Sequence, residues 1–367
     1  MNLGLHTPLC SLTGYSEWGR GIFNALKQLN VSFTLSMTDQ SLYDINQRLI
    51  PSSLMDDIKT MSKPITNDMV VINLGLPNQF SQIGKFCIGL VLFDTSRLSS
   101  DWLIALGSMD LLLTPSAYNK EILYKQGLSS DKIEVIPIAI DSDNFNPEVE
   151  PMYVDSIRSF SILYAGSISS KSNWDKLIVE VQTTFSNMRD VCLILKIPPP
   201  RTQEELVEIQ KRVKLVKAST KGSTPVYINY DPVPTDLVPK VYQIVRKRLP
   251  NRNYFYLNEK SPNGVFISPS ASDSIGMSIL EAHASGLLTM GVQQSELSFM
   301  SDRNSINITS TNRFEIPDGS ITKALIRAYS MTTKERETME SEAVLTAKQY
   351  SFDNCVKQIL ACIQKRI

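Results

Sequence analysis

An α/β chain with parallel sheets in two domains is what this sequence predicts, and three observations predict it. Apolar runs such as Asp68–Leu74 (DMVVINL), Lys85–Phe93 (KFCIGLVLF) and Val191–Ile197 (VCLILKI) are continuous rather than alternating, as strands buried on both faces are. The stretch Gly264–Gly291 (GVFISPSASDSIGMSILEAHASGLLTMG) reads as strand, loop, helix, strand, the repeating unit of a parallel sheet. With 367 residues, 42% hydrophobic and 20% charged, the chain is long enough for two domains that bury sizeable cores.

In chain order, residues 3–26 read as a loop and then a helix. Gly14, Gly19 and Gly21 surround a start that Ser16 could cap, and Ile22, Phe23, Leu26 and Leu29 form the apolar stripe. The runs at 68–74 and 85–93 are strands. After the second comes DTSRLSSDW, Asp94–Trp102, with a helix beginning at Trp102. Loops after strand C-termini hold ligands in a doubly wound sheet, which makes Asp94, Thr95 and Arg97 candidates; the alternative is that Asp94 and Thr95 only cap the next helix. Met109–Gly127 gives strand, Pro-Ser and helix, and Asp131–Pro147 a closing strand and turn in which Asp141, Phe145 and Pro147 are structural.

The second domain opens at Ser159 with a strand to Ala165, a loop Gly166–Asn173 and a helix from Trp174 carrying Leu177, Ile178, Val181 and Phe185 inward. Residues 201–252 hold a helix with Leu206, Ile209, Val213 and Val216 on one side, the strand VYINY, and a Pro-interrupted helix. This segment has 11 basic and 5 acidic residues, a solvated face or a docking patch for an acceptor, a lipid surface or nucleic acid. Two further helices, Ile321–Ser330 and a long pattern over 334–367 broken near Tyr350-Ser351, finish the chain.

Within 264–291, the helix sends Ile279, Leu280 and Ala284 toward a core and stops at Ser285-Gly286. Asp273 and Glu281 bracket its start. Unpaired N–H groups from Ser274 through Ile275, Gly276 and Met277 to Ser278, with the helix dipole, suit a phosphate. Glu281, less than two turns in, can accept both protons of vicinal ribose hydroxyls, while Asp273 faces what lies beyond the phosphates. One anion site flanked by two hydroxyl acceptors describes a nucleotide sugar. The alternative is a helix capped by Ser272 or Ser274 with Glu281 solvated.

That stretch resembles the donor-site signature of the retaining GT-B-fold glycosyltransferases, the glycosyl transferases group 1 type: small-polar loop, acid, seven residues, Glu-Ala, small-residue helix end, Gly. Glu281, Ala282, Ala284 and Gly286 match; Asp273 and Ser274 stand where the family has Glu and Gly, and His283 where it has Met. TGYSEWGRGIFNAL, MDLLLTPSAYNKEILYKQGL and the Asp141, Phe145, Pro147 turn resemble the family elsewhere, with Ile138 and Ala139 replacing its Asn and Gly.

The resemblance implies two Rossmann-like domains facing across a cleft. Residues 1–150 would bind the acceptor and 151–345 the nucleotide sugar, with a last helix, 346–367, crossing back onto the first domain. It implies sugar transfer with retention to a carbohydrate, lipid-linked or other hydroxyl acceptor, from a UDP- or GDP-sugar and with no metal or cofactor. Asp273, Glu281 and Lys171 would be catalytic. Gly14, Gly166, Lys171, Lys196, Asp273, Ser274, Ile275, Gly276, Met277 and Glu281 would hold the donor, and His6 and Asp94 would face the acceptor. Where the family has Gly-Arg this chain has Gly166-Ser167, so Lys171 and Lys196 would supply the charge that stabilises a departing diphosphate. Glu296 would be a weaker candidate for the ribose or base edge.

Composition narrows the alternatives. The first 150 residues carry 10 basic and 16 acidic groups within a chain of net charge zero, so the second half is basic. A diphosphate-binding second domain fits that, and a first domain lying flat on an anionic membrane does not. The five scattered cysteines read as reduced, without zinc spacing. No apolar run is long enough to span a membrane and no signal peptide is read, which predicts a cytoplasmic protein, peripheral at a membrane at most. Rival readings are a nucleotide-sugar epimerase or hydrolase on the same plan, a silent nucleotide-sugar-binding relative, and a glycosyltransferase acting on modified DNA bases.

Overall fold

The computed structural model describes residues 2–42, 46, 48–152, 154, 157–169, 171–200, 202–246, 264–270, 276–293, 297–311 and 315–367. The chain divides into two units: Met1–Asp141 with Pro234–Asp236 and Gln349–Ile367, and Ser142–Val233 with Leu237–Lys348.

The first unit alternates strands and helices: β1 (Leu3–Thr7), α1 (Gly14–Gln28), β2 (Phe33–Met37), α2 (Ser52–Met61), β3 (Val70–Leu74), β4 (Phe86–Leu90), α3 (Ser100–Gly107), β5 (Leu111–Thr114), α4 (Ala117–Lys125) and β6 (Ile133–Val135). All pair in parallel in the order β2-β1-β3-β4-β5-β6. The continuous runs at 70–74 and 86–90 lie at the centre of this sheet, nearly every residue buried, as strands covered on both faces must be. Residues 3–7, read above as loop, are instead the strand β1, with Leu5 paired to Leu35 on one side and Ile72 on the other. Its glycine and histidine hide the strand in the sequence, and the side chains of Ile65, Met69 and Val71 fill the space over Gly4 where a Cβ would stand. Hydroxyl caps set the helix starts, though not at the residues expected. Thr13, not Ser16, caps α1, its hydroxyl accepting the Ser16 N–H, and Ser99, not Asp94 or Thr95, caps α3 by accepting the Trp102 N–H.

The second unit comprises β7 (Phe160–Ala165), α5 (Trp174–Thr184), β8 (Val191–Lys196), α6 (Gln203–Ala218), β9 (Val226–Asn229), α7 (Val238–Gln243), β10 (Val265–Ser268), α8 (Met277–Ala284), β11 (Thr289–Gly291), β12 (Ile306–Asn307), α9 (Ser320–Ser330) and α10 (Thr333–Ala347). Its parallel sheet runs β12-β11-β10-β7-β8-β9. The core gathers Trp174, Leu177, Ile178 and Val181 of α5 against Leu193, Leu195 and Ile267, with the rings of Phe160, Phe185 and Tyr329 meeting edge-on or tilted beneath. The buried Glu180 of α5 accepts N–H bonds from Gly319 (3.2 Å) and Thr322 (2.6 Å), capping α9 from a neighbouring helix.

The last helix, α11 (Phe352–Gln364), belongs to the first unit and lies on α1. Phe352 sits on the bare backbone of Gly21 and edge-on to Trp18 at 6.5 Å, and Cys355, Val356, Ile359 and Ile363 are buried.

Candidate functional site

In the second sheet β7 and β10 are neighbours, and from that pair the chain winds outward in opposite directions, to β8 and β9 on one side and to β11 and β12 on the other. Loops leaving such a pair diverge, and ligands of doubly wound sheets sit in the crevice they leave. The described residues that follow these strands are 166–169 and 171–173 after β7, and 269, 270 and 276 after β10. They are tied together by Asn173, whose left-handed backbone (φ 50°) turns its side-chain amide to donate to Pro269 O at 3.0 Å.

The second loop ends at Gly276, the N-cap of α8, with φ 62° and no side-chain cap. A Cβ there would overlap Leu297 and crowd Phe299, so the position needs glycine on conformational and steric grounds alike. The first turn of α8 offers the N–H groups of Met277 and Ser278 without intrahelical acceptors. Glu281 lies four residues past Met277 on the same helix face. Asp273, Ser274 and Ile275, expected beside them, lie outside the described residues, as does Glu296.

Glu281 is 6% exposed, so the reading in which it is merely solvated does not describe it. The Tyr242 hydroxyl donates to its Oε2 at 2.5 Å. Tyr242 is itself 3% exposed, its ring edge-on to Phe145 and tilted on Phe266, centroids 5.6 and 5.5 Å away. The adjacent Gln243 donates from Nε2 to Ser285 O (2.9 Å) and Asn146 O (3.0 Å), pinning α7 to the end of α8. Neither Tyr242 nor Gln243 was expected at the site. Both are thirty-nine or more positions from their partners, inside a Pro-interrupted segment with no motif.

Two further expected donor residues adjoin through the backbone: β7 and β8 end in register, and the Gly166 N–H donates to Lys196 O at 3.0 Å. Ser167, where the family resemblance expects arginine, has its carbonyl held by the Tyr164 hydroxyl at 2.6 Å. Lys171 is exposed, just before the buried Ser172 that closes a hydroxyl turn on Ser169. The Lys196 ammonium donates to Asp231 O (2.8 Å) and Ile197 O (3.3 Å). Burial lowers its pKa and Asp231 works against that. Its charge is directed at the ends of β8 and β9. Farther along, Lys211, Lys214, Lys217 and Lys221 make the exposed basic face of α6 and its exit, while Arg212 stacks on Trp174 at 5.0 Å.

In the first unit His6, at the end of β1, has both ring nitrogens engaged, Nδ1 with Ser36 Oγ at 2.9 Å and Nε2 with Gln79 O at 3.0 Å. A carbonyl only accepts, so Nε2 carries the proton and Nδ1 of the neutral ring accepts from Ser36. Burial lowers the His6 pKa, against the Gln79 bond. Gly14 is the exposed first residue of α1. Asp94 is exposed, and its charge, after burial, helps push Tyr15 up to about 12; the Tyr15 hydroxyl donates to Leu92 O. A residue with no sequence signal organises this loop. The Asp39 carboxylate takes the N–H groups of Leu9 (2.9 Å), Cys10 (2.8 Å) and Ser11 (2.7 Å), and Arg20 holds the carbonyls of Leu9 and Ser11. Those three amides are therefore already satisfied by an internal anion.

Among the described residues no cluster of three or more His, Cys, Asp or Glu side chains is arranged to hold a metal ion, and no helix is long and apolar enough to cross a membrane. The five cysteines are free thiols.

No protein-family model and no curated protein sequence matches the chain. Solved structures do. Anabaena HepE in complex with UDP-glucose is 12% identical over 100% of both chains, with a TM-score of 0.68. An E. coli trehalose-6-phosphate protein bound with UDP-2-fluoro glucose is 11% identical over 99% of this chain and 98% of its own, TM-score 0.67. A glycosyltransferase from Rickettsia africae is 13% identical over 100% and 98%, TM-score 0.64. At these identities the likeness is one of fold: the chain carries the two Rossmann-like domains of the GT-B fold.

Proposed function

We propose that this GT-B-fold chain is a glycosyltransferase that takes a hexose from a nucleoside diphosphate sugar, a UDP-sugar first of all, and transfers it with retention to an acceptor hydroxyl. One observation carries the reading: a buried carboxylate, Glu281, on the helix that follows the switch-point strand β10. Its support is the full-length likeness to proteins solved with UDP-glucose and UDP-2-fluoro glucose. Glu281 accepts the ribose hydroxyls. The opening N–H groups of α8, with Asp273, Ser274, Ile275 and Gly276, take the phosphates and sugar, and Gly14 is assigned to donor binding as well. Lys171 and Lys196 oppose the charge that develops as the diphosphate leaves. In the step itself the bond from sugar C1 to the β-phosphate oxygen breaks and a bond from C1 to the acceptor oxygen forms on the same face. The acceptor's proton passes to the leaving phosphate oxygen, so no protein base is required. His6 and Asp94 are assigned to the acceptor side, which takes a carbohydrate or lipid-linked glycan.

The test is thermal stabilisation by UDP-, GDP-, ADP- and TDP-sugars. A shift with UDP-sugars that Glu281→Ala abolishes, each protein being read against its own ligand-free melting point, is the expected result. A full response from the variant overturns the ribose assignment. A binding-only relative is favoured by one observation, the engagement of the Lys196 ammonium with the Asp231 and Ile197 carbonyls. Donor binding with neither transfer nor hydrolysis across a panel of sugar acceptors would establish it.

A further inference from the structure

A buried pair of polar side chains joins α7 to α8. Tyr242 and Glu281 come from separate helices and meet where almost no water reaches, at 3% and 6% exposure. Burying a carboxylate is costly unless donors compensate it, and a buried phenol finds a partner for its hydroxyl. Each of these groups meets part of the other's requirement. Phe145 and Phe266 flank the Tyr242 ring and fix its plane, and Gln243 locks the helix beneath it through Ser285 O and Asn146 O. The hydroxyl therefore sits at a place set by rigid elements, and Phe266 belongs to β10, the strand that delivers the loop before α8.

We infer that Tyr242 is a positioning residue: its hydroxyl holds one oxygen of Glu281 so that the carboxylate is presented to the nucleotide ribose in a single orientation, and so determines how strictly the protein reads the ribose hydroxyls. This rests on the reading of Glu281 as the ribose acceptor. The phenol itself touches no substrate. A carboxylate that loses this donor is aimed less strictly, and the hydroxyl selectivity falls more than the overall binding does.

The experiment measures dissociation constants of the full chain for UDP and GDP and for their 2′-deoxy and 3′-deoxy forms. Wild type is expected to prefer the ribonucleotide at least tenfold, Glu281→Ala to lose the preference, and Tyr242→Phe, which keeps the ring between Phe145 and Phe266, to reduce it at least fivefold. Para-aminophenylalanine at 242 restores a donor at the same place and is expected to bring the preference back. A Tyr242→Phe protein that keeps the wild-type ratio within twofold, while Glu281→Ala loses it, overturns the inference and leaves the ribose assignment standing. Should Tyr242→Phe not fold, a para-aminophenylalanine protein that folds but discriminates no better than Glu281→Ala overturns it equally. A wild type that binds neither nucleotide, or binds ribo and deoxy forms alike, overturns the underlying assignment and this inference with it.

Discussion

Two ionisable side chains two positions apart on α8 are both buried among hydroxyls. Glu281 is buried with a phenol donating to it, whereas His283, 0% exposed, has Nε2 between the hydroxyls of Thr289 (2.8 Å) and Ser305 (3.0 Å) and Nδ1 without a partner. No described group offsets the burial of its charged form, and burial pushes its pKa from 6.5 down to about 3. The unfolded chain therefore binds a proton that the folded one refuses. The stabilising contribution of neutral His283 is complete above pH 6.5 and is lost as pH falls from there toward 3. Between pH 7 and 5 this one group is expected to remove about 2 kcal/mol from the second unit. Urea unfolding of wild type and His283→Met at both pH values checks it: the stability difference between the two proteins should change by about that amount, and a difference independent of pH would refute the assignment. At this scale the acid and the histidine were visible in the sequence, but their partners were not. Tyr242 is 39 positions from Glu281, and Ser305 is 22 from His283, distances over which only the fold decides who meets whom.

At the scale of elements, the seat of α11 on α1 depends on one missing side chain. A Cβ on Gly21 would overlap the Phe352 ring, while a Cβ on Gly107 of α3 meets nothing nearer than Leu128 at 3.9 Å. Both glycines are helical, and alanine is the better helix former by about 0.5–1 kcal/mol. Gly107→Ala should therefore stabilise by up to about that amount, whereas Gly21→Ala should destabilise by about 1–3 kcal/mol because the packing strain exceeds the gain. Denaturant midpoints of the two variants measure the contrast, and the same sign for both would refute this account of the contact. The α/β class and the strands at 70–74, 86–90 and 191–196 were legible because both of their faces are buried, which leaves an unbroken apolar run. β1 was not legible, since two leucines among glycine, histidine and threonine carry no period. Nor was β2, an edge strand in which only Leu35 is buried. The β7–β10 adjacency that frames the candidate site depends on strand order, which is a long-range property and leaves no local mark.

On the scale of the whole molecule, each unit has a sheet and a hydrophobic core of its own. The second unit's core centres on Trp174, Phe160 and Ile267, and the first has a cluster around Leu106, Leu112 and Leu123. A ligand stabilises the structure that holds it, by about 2.7 kcal/mol at a hundredfold excess over its dissociation constant. If the nucleotide sits at the β7–β10 switch point, that energy is added first to the opening of the second unit. Hydrogen exchange resolved by peptide reads this directly. At saturating UDP, the most protected amides of β7, β8, β10 and α8 should exchange about a hundredfold more slowly, which is the same free energy expressed as a rate. The amides of Leu9, Cys10 and Ser11 in the first unit, already bonded to Asp39, offer the nucleotide little and should change far less. Protection concentrated instead in β1, β3 and the turn into α1, with the second sheet unchanged, would move the nucleotide to the other half of the chain and refute the assignment of Glu281.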